Sequence, residues 1–172
     1  SSPPTRWLRC SATLRRSTAR GSAPTSMQLR HRTPNLVVEP RRPRGLLDTS
    51  VVIDLERLDP VQLPIESAVS AITMAELAAG PHATDDPDER ARRQDRLQRA
   101  EAAFDPLPFD AEASRAYGRV YAAVVAVGRK ARGARAVDLL IAATACAGGL
   151  PLYTRNPDDF QALGDLIEVV PV

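Results

Sequence analysis

Four acidic residues stand where acids are costly. Asp48 follows the apolar run Gly45-Leu46-Leu47, and Glu76 lies three residues after Thr73. Asp138 runs directly into Leu139-Leu140-Ile141, and Asp159 sits beside Asp158, shortly after Leu152-Tyr153-Thr154. An acid surrounded by apolar residues is expensive unless it is paired or ligating. Strand ends and helix starts meet on one edge of a parallel sheet. Carboxylates gathered there repel one another unless something neutralises them. Mg²⁺ or Mn²⁺ is the natural candidate, because hard cations take oxygen ligands and keep several waters. One or two such ions would activate water and stabilise charge on a transferring phosphoryl group.

Each acid also has a purely structural explanation. Thr73-x-x-Glu76 reads as a capping box. Asp138, read as first-turn, complements a helix dipole. Asn156-Pro157-Asp158-Asp159 resembles an N-cap followed by Pro and first-turn acids. Asp48 reads as a turn residue and N-cap, and Asp54, further along, reads as structural. The chemical signal lies in the conjunction of these acids.

The elements that must position them alternate between strands and helices. Strands are predicted at 45–48, 67–72, 107–109, 150–154 and 166–170. Helices are predicted at 50–57, 73–79, 88–104, 110–127, 136–147 and 157–163. Alternation of this kind predicts an α/β layer with a mainly parallel sheet. The helix over 110–127 carries an apolar stripe of Tyr117, Val120, Tyr121, Val124 and Val125 that reads as core or as a dimer face. A basic loop, Arg129, Lys130, Arg132 and Arg135, precedes the helix that bears Asp138. It reads as a solvated loop or as a grip on a nucleic-acid backbone.

The chain of 172 residues has room for one ordinary domain. Its net charge of +2 conceals an asymmetry, since residues 1–45 hold ten arginines and one acid, Glu39, and the remainder is net acidic. Residues 1–44 are expected to be a basic tail without regular structure, or an artefact of a mis-assigned start, and residues 45–172 the folded domain. A nucleic-acid-binding arm and an organellar transit segment are the other readings of that tail. No apolar run approaches the roughly 20 residues of a membrane helix. Two cysteines, Cys10 and Cys146, make neither a disulfide scaffold nor a zinc site, so a reducing, cytoplasmic location is expected.

The order Leu-Leu-Asp48-Thr49-Ser50, Ser70-Ala-Ile-Thr73-Met-Ala-Glu76, Ala136-Val-Asp138-Leu-Leu and Leu-Tyr-Thr154-Arg-Asn156-Pro-Asp158-Asp159-Phe160 resembles a PIN domain. More narrowly, it resembles the VapC toxins of bacterial toxin–antitoxin pairs. The resemblance covers residues 46–172. It implies a three-layer sandwich around a mainly parallel sheet of about 4–5 short strands. It also implies an Mg²⁺- or Mn²⁺-dependent ribonuclease, a homodimer, and a VapB-type antitoxin that occludes the groove. Carried over, Asp48, Glu76 and Asp138 hold one ion, with Asp159 direct or through water. Ser50 supplies a nearby hydroxyl and Asp158 is a neighbouring competitor. Asn156 stands where some PIN domains carry another Asp. Rival readings are an aspartyl phosphohydrolase, whose second Asp is replaced here by Ser50, and a non-catalytic RNA- or protein-binding module on the same fold. A receiver domain is disfavoured because the only Lys, Lys130, is in a loop, and no Walker-type loop is present.

Overall fold

The structure, a computed structural model, describes residues 8–9 and 41–172. Its sheet has five strands in the order β1-β3-β2-β4-β5. They are β1 Leu8–Arg9, β2 Arg44–Leu47, β3 Glu66–Ala68, β4 Leu152–Thr154 and β5 Val169–Pro171. Strands β2 to β5 are all parallel, and β1 pairs antiparallel with β3. The flanking helices are α1 Thr49–Ile53, α2 Ala71–Ala79, α3 Pro87–Ala103, α4 Ala111–Ala126 and α5 Ala134–Gly148.

The period-2 alternation of strand side chains divides the core into two halves. Leu46, Ala68 and Leu152 face one side, where Val120 of α4, Leu139 and Ile141 of α5, and Phe160 close over them. Leu47, Val69 and Tyr153 lie in the other half, with Val51 of α1, Leu77 of α2, Leu97 of α3 and Phe104 just past the end of α3. The result is the expected helix–sheet–helix sandwich. Leu46, Leu47, Leu139 and Leu152 are fully buried, each a gain of about 1.5–3 kcal/mol over an exposed side chain. Gly45 is required by close approach, since a Cβ there would stand 2.5 Å from Tyr153 Cε2 and 3.0 Å from Pro64 Cγ.

Several boundaries differ from the sequence reading for local reasons. Of residues 1–44, only Leu8–Arg9 and 41–44 are among the described residues. Leu8–Arg9 forms an edge strand where no regular structure was expected. Arg41 already donates to the carbonyls of Leu63 and Pro64, and Arg42 pairs with Glu168 at 2.6 Å, so the domain's contacts begin before residue 45. The strand expected over 67–72 ends at Ala68, because Ser70 caps α2 by accepting from the Thr73 N–H at 3.0 Å. Residues 107–109 form no strand, only an isolated parallel bridge from Leu107 to Ser70. Pro106 and Pro108 flank Leu107 and lack the N–H a ladder needs. Segments 55–57 and 157–163 are 3₁₀ turns. The apolar stripe of α4 divides, with Val120 and Val124 in the core and Tyr121 and Val125 exposed at 44% and 50%.

Candidate active site

Asp48 leaves the carboxyl end of β2, the first residue past the buried Leu46-Leu47 pair, and is itself buried. It stands at the N-cap position of α1 but its side chain caps nothing. Two hydroxyls hold it instead. Ser50 Oγ donates to Asp48 Oδ2 at 2.7 Å, and Thr154 Oγ1, at the end of β4, donates to the same oxygen at 2.9 Å. The hydroxyls are oriented in turn by backbone donors, Arg155 N–H to Ser50 Oγ at 3.2 Å and Asn156 N–H to Thr154 Oγ1 at 3.0 Å. This relay fixes one carboxylate oxygen of Asp48.

Glu76 is not part of a capping box. Ser70 is the cap of α2, and Thr73 Oγ1 lies 2.9 Å from Ser70 Oγ. Glu76 therefore falls in the second turn, where Thr49 Oγ1 donates to its Oε2 at 2.5 Å. Asp138 also belongs to the second turn, because α5 starts at Ala134 and carries no acid in its first turn. The dipole explanation weakens accordingly, since that effect is confined to the terminal turn. The capping readings of Asp48 and Glu76 thus fail, as does the first-turn reading of Asp138.

The Asp138 carboxyl is pushed up to about 6 by burial first, then by the negative charges of Asp48, Glu76 and Asp159, with Arg135 opposing them. Four acids from four separate segments therefore act on one another. Arg135 Nη2 donates to Asp159 Oδ1 at 3.3 Å. Asp158 is turned away, exposed, with its Oδ1 bound by Gln161 at 2.6 Å. Asn156 precedes the 3₁₀ turn without a side-chain cap bond and is exposed. Among the described residues, no three His, Cys, Asp or Glu side chains stand close enough together to hold an ion as placed. The expected four-acid cage is therefore not formed as placed: Asp48, Glu76 and Asp159 reach Asp138 through their charge, and Glu76 and Asp159 are each engaged by a protein partner.

The basic loop lies beside this cluster. Arg129 Nη1 donates to the Asp158 carbonyl at 2.7 Å, Lys130 and Arg132 are exposed, and Arg135 is half-buried. Arg135 Nε is buried with no partner, a donor that has lost water without gaining an acceptor. Asp54 carries ion pairs to Arg57 and Arg155, as its structural reading required. Sequence reasoning missed Thr49 and Thr154. Their signal was a hydroxyl next to each end of the acid-bearing motifs, which composition alone does not separate from ordinary strand and turn threonines.

The chain is similar to proteins already known. The family described as PIN domain matches residues 45–166. Ribonuclease VapC5 of Mycobacterium tuberculosis is 38% identical over 122 residues, spanning 69% of this chain and 87% of that protein. VapC ribonuclease Y4jK of Sinorhizobium fredii is 34% identical over 131 residues, 69% of this chain and 91% of that one. Among solved structures, the VapBC-5 toxin–antitoxin member from M. tuberculosis superposes with a TM-score of 0.67 at 36% identity, covering 76% of this chain and 99% of that chain. The FitAcB structure from Neisseria gonorrhoeae superposes at 0.54 with 27% identity, covering 72% and 95%. Sequence, topology and the order of the four acids lead to one assignment: this chain belongs to the PIN-domain family, and within it to the VapC toxins of VapBC toxin–antitoxin systems.

Proposed function

We propose that this chain is a metal-dependent endoribonuclease that cleaves RNA phosphodiesters and is silenced by a VapB-type antitoxin. The observation that carries the reading is that Asp48 at the end of β2, Glu76 of α2 and Asp159 after β4 all act by their charge on the half-buried Asp138 of α5. A divalent cation fits this donor set. All the donors are oxygens, and their mutual repulsion is borne by Asp138 when no cation offsets it. Such a cation supplies charge neutralisation at a phosphodiester and a more acidic water. Asp48, Asp138 and Glu76 would hold it, with Asp159 as the fourth member and Asp158 outside.

The remaining roles fall to the chain's own groups. Ser50 and Thr154 hold the Asp48 carboxylate in place by donating to its Oδ2. Thr49 orients Glu76. Arg129, Lys130, Arg132 and Arg135 grip the RNA backbone, and the unpartnered Arg135 Nε–H suits a phosphate oxygen. An antitoxin that offers an Arg side chain to the acids is electrostatically matched to this edge. The exposed Tyr121 and Val125 on α4 support a homodimer face, and a strictly monomeric mass at low concentration would remove that assignment. Among the described residues no helix is long and apolar enough to cross a membrane, and the half-buried thiol of Cys146 is compatible with a reducing cytoplasm.

The test uses Asp48→Asn and Asp138→Asn on a mixed RNA substrate. Cleavage should require Mg²⁺ or Mn²⁺, stop with EDTA, and be lost in both variants while circular dichroism stays native. Metal-dependent cleavage retained by both would falsify the assignment. A non-catalytic module predicts no cleavage by the native chain under any metal.

A further inference from the structure

On the opposite face of the sheet from the basic loop, helix α3 borders a cleft that holds a half-buried arginine. Helix α3 carries five arginines. Four are engaged: Arg90 with the Pro81 and Thr84 carbonyls, Arg92 and Arg93 with Glu89, and Arg99 with Glu56 and Asp95. Arg96 has no hydrogen bond or ion pair among the described residues, yet it is half-buried. It lines a cleft of about 310 Å³ with Thr49, Ile53, Glu76, Leu77 and Glu89. A partly desolvated guanidinium without an acceptor is costly, and its planar fork suits a phosphate.

Glu76, one of the four acids, forms part of the cleft's wall. Beside Arg96, Ile53 is 43% exposed and offers an apolar surface to a nucleobase. Both residues also line a groove that continues between α1 and α3 past Leu55 and Phe104. The other acid in the cleft, Glu89, is already neutralised by Arg92 and Arg93. An entering phosphate therefore meets one uncompensated cation, and its only uncompensated acid is Glu76, which belongs to the proposed cation's site.

We propose that Arg96 is a substrate-binding residue that takes an RNA phosphate one or more nucleotides from the cleavage point. A single strand then crosses the sheet edge, from the 129–135 loop on the α4–α5 face, over the four acids, to the α2–α3 cleft on the other. This rests on the ribonuclease reading and adds the path of the substrate to it. Arg96 is a binding position and makes no contact with the reacting atoms.

The experiment compares the full chain with Arg96→Gln, Arg96→Lys and, as a control, Arg115→Gln on the exposed face of α4. Two readouts are taken. One is steady-state cleavage of a single-stranded oligoribonucleotide with Mn²⁺. The other is fluorescence anisotropy of a labelled oligouridylate in EDTA across a salt series. Arg96→Gln should raise KM and the metal-free Kd about 3- to 10-fold with kcat unchanged. It should also lower the salt slope by about 0.7, one phosphate contact on a single strand. Arg96→Lys should keep the slope, and Arg115→Gln should behave as the native chain. An unchanged KM and slope in Arg96→Gln, or a fall in kcat alone, overturns the proposal. So does a loss of affinity for an antitoxin peptide with RNA binding intact. If Arg96→Gln fails to fold, an Arg96→Lys variant that loses the salt slope overturns it equally. A native chain that binds the oligouridylate but never cleaves it breaks the nuclease reading, and the anisotropy arm still decides Arg96.

Discussion

Asp138 should weaken the metal-free fold that it serves. Its carboxyl holds a proton up to about pH 6 in the folded chain, against an ordinary 3.8, so the folded state binds the proton more tightly than the unfolded state does. Stability therefore falls as pH rises from about 4 to about 6, and the full penalty is present above that window. At 1.36 kcal/mol per tenfold, the difference corresponds to roughly 3 kcal/mol. Asp138 is only half-buried, and solvent screening reduces this to about 1–2 kcal/mol. Replacing it with Asn removes the charge at nearly constant volume. In EDTA at pH 7.5, Asp138→Asn should melt about 3–8 °C above the native chain, and the gap should close by pH 4. Saturating Mn²⁺ should reverse the order, because a ligand that binds only the folded state stabilises by about 2.7 kcal/mol at a hundred times its Kd. Differential scanning calorimetry with and without Mn²⁺ measures both. A metal-free Asp138→Asn no more stable than the native chain at pH 7.5, or a gap that persists unchanged at pH 4, refutes the claim that uncompensated charge loads this residue.

Two further outcomes test the supports of the site. Thr154→Val keeps the shape but removes the buried donor to Asp48 Oδ2 and the part-buried acceptor for the Asn156 N–H. Urea denaturation should record a loss of about 1–3 kcal/mol, and a loss under about 0.5 kcal/mol contradicts the clamp. Gly45→Ala places a methyl 2.5 Å from the buried Tyr153 ring. Overpacking of this kind costs about 1–3 kcal/mol or more, read as a lower melting temperature, and an unchanged one would mean the β2–β4 contact is looser than the structure has it.

The parts of this molecule legible in its sequence are those decided by short-range pattern. Leu46-Leu47-Asp48 announces a buried strand with an acid at its end. That Leu46 and Leu47 enter opposite halves of the core follows from the pleat alone. Helix α4 was bounded to within a residue because Asp110 Oδ1 accepts from the Ala113 N–H, a local device that the sequence displays. The failures are equally physical. The segment Pro106-Leu107-Pro108 has strand-like neighbours but lacks donors, so it docks by two backbone bonds, Leu107 N–H to Val69 and Ala71 N–H to Leu107, and stops. Ser70 rather than Thr73 caps α2, and that two-hydroxyl contact decides whether Glu76 is a capping residue or a second-turn acid with other partners.

What the sequence could not disclose is how the acids are held when no cation is present. Nothing in the spacing of Asp48, Thr154 and Asn156 says that a backbone N–H orients a hydroxyl that then fixes one carboxylate oxygen across 106 positions of chain. Nor does it say that Thr49, next to Asp48, restrains Glu76 instead. These contacts resolve a conflict that the composition already poses, since a cluster of like charges must be stable enough to fold yet open enough to accept a cation. Hydroxyls meet both demands. They donate to a carboxylate without forming an ion pair, so Asp48 and Glu76 are oriented by neutral groups alone. Arg135 partly compensates Asp159 from the side. A lysine or arginine bound at Asp48 in place of Ser50 and Thr154 would stabilise the metal-free fold more and would compete with the cation for the same oxygens. The placement of weak donors at the first two acids and a partly buried cation at the fourth follows from that competition.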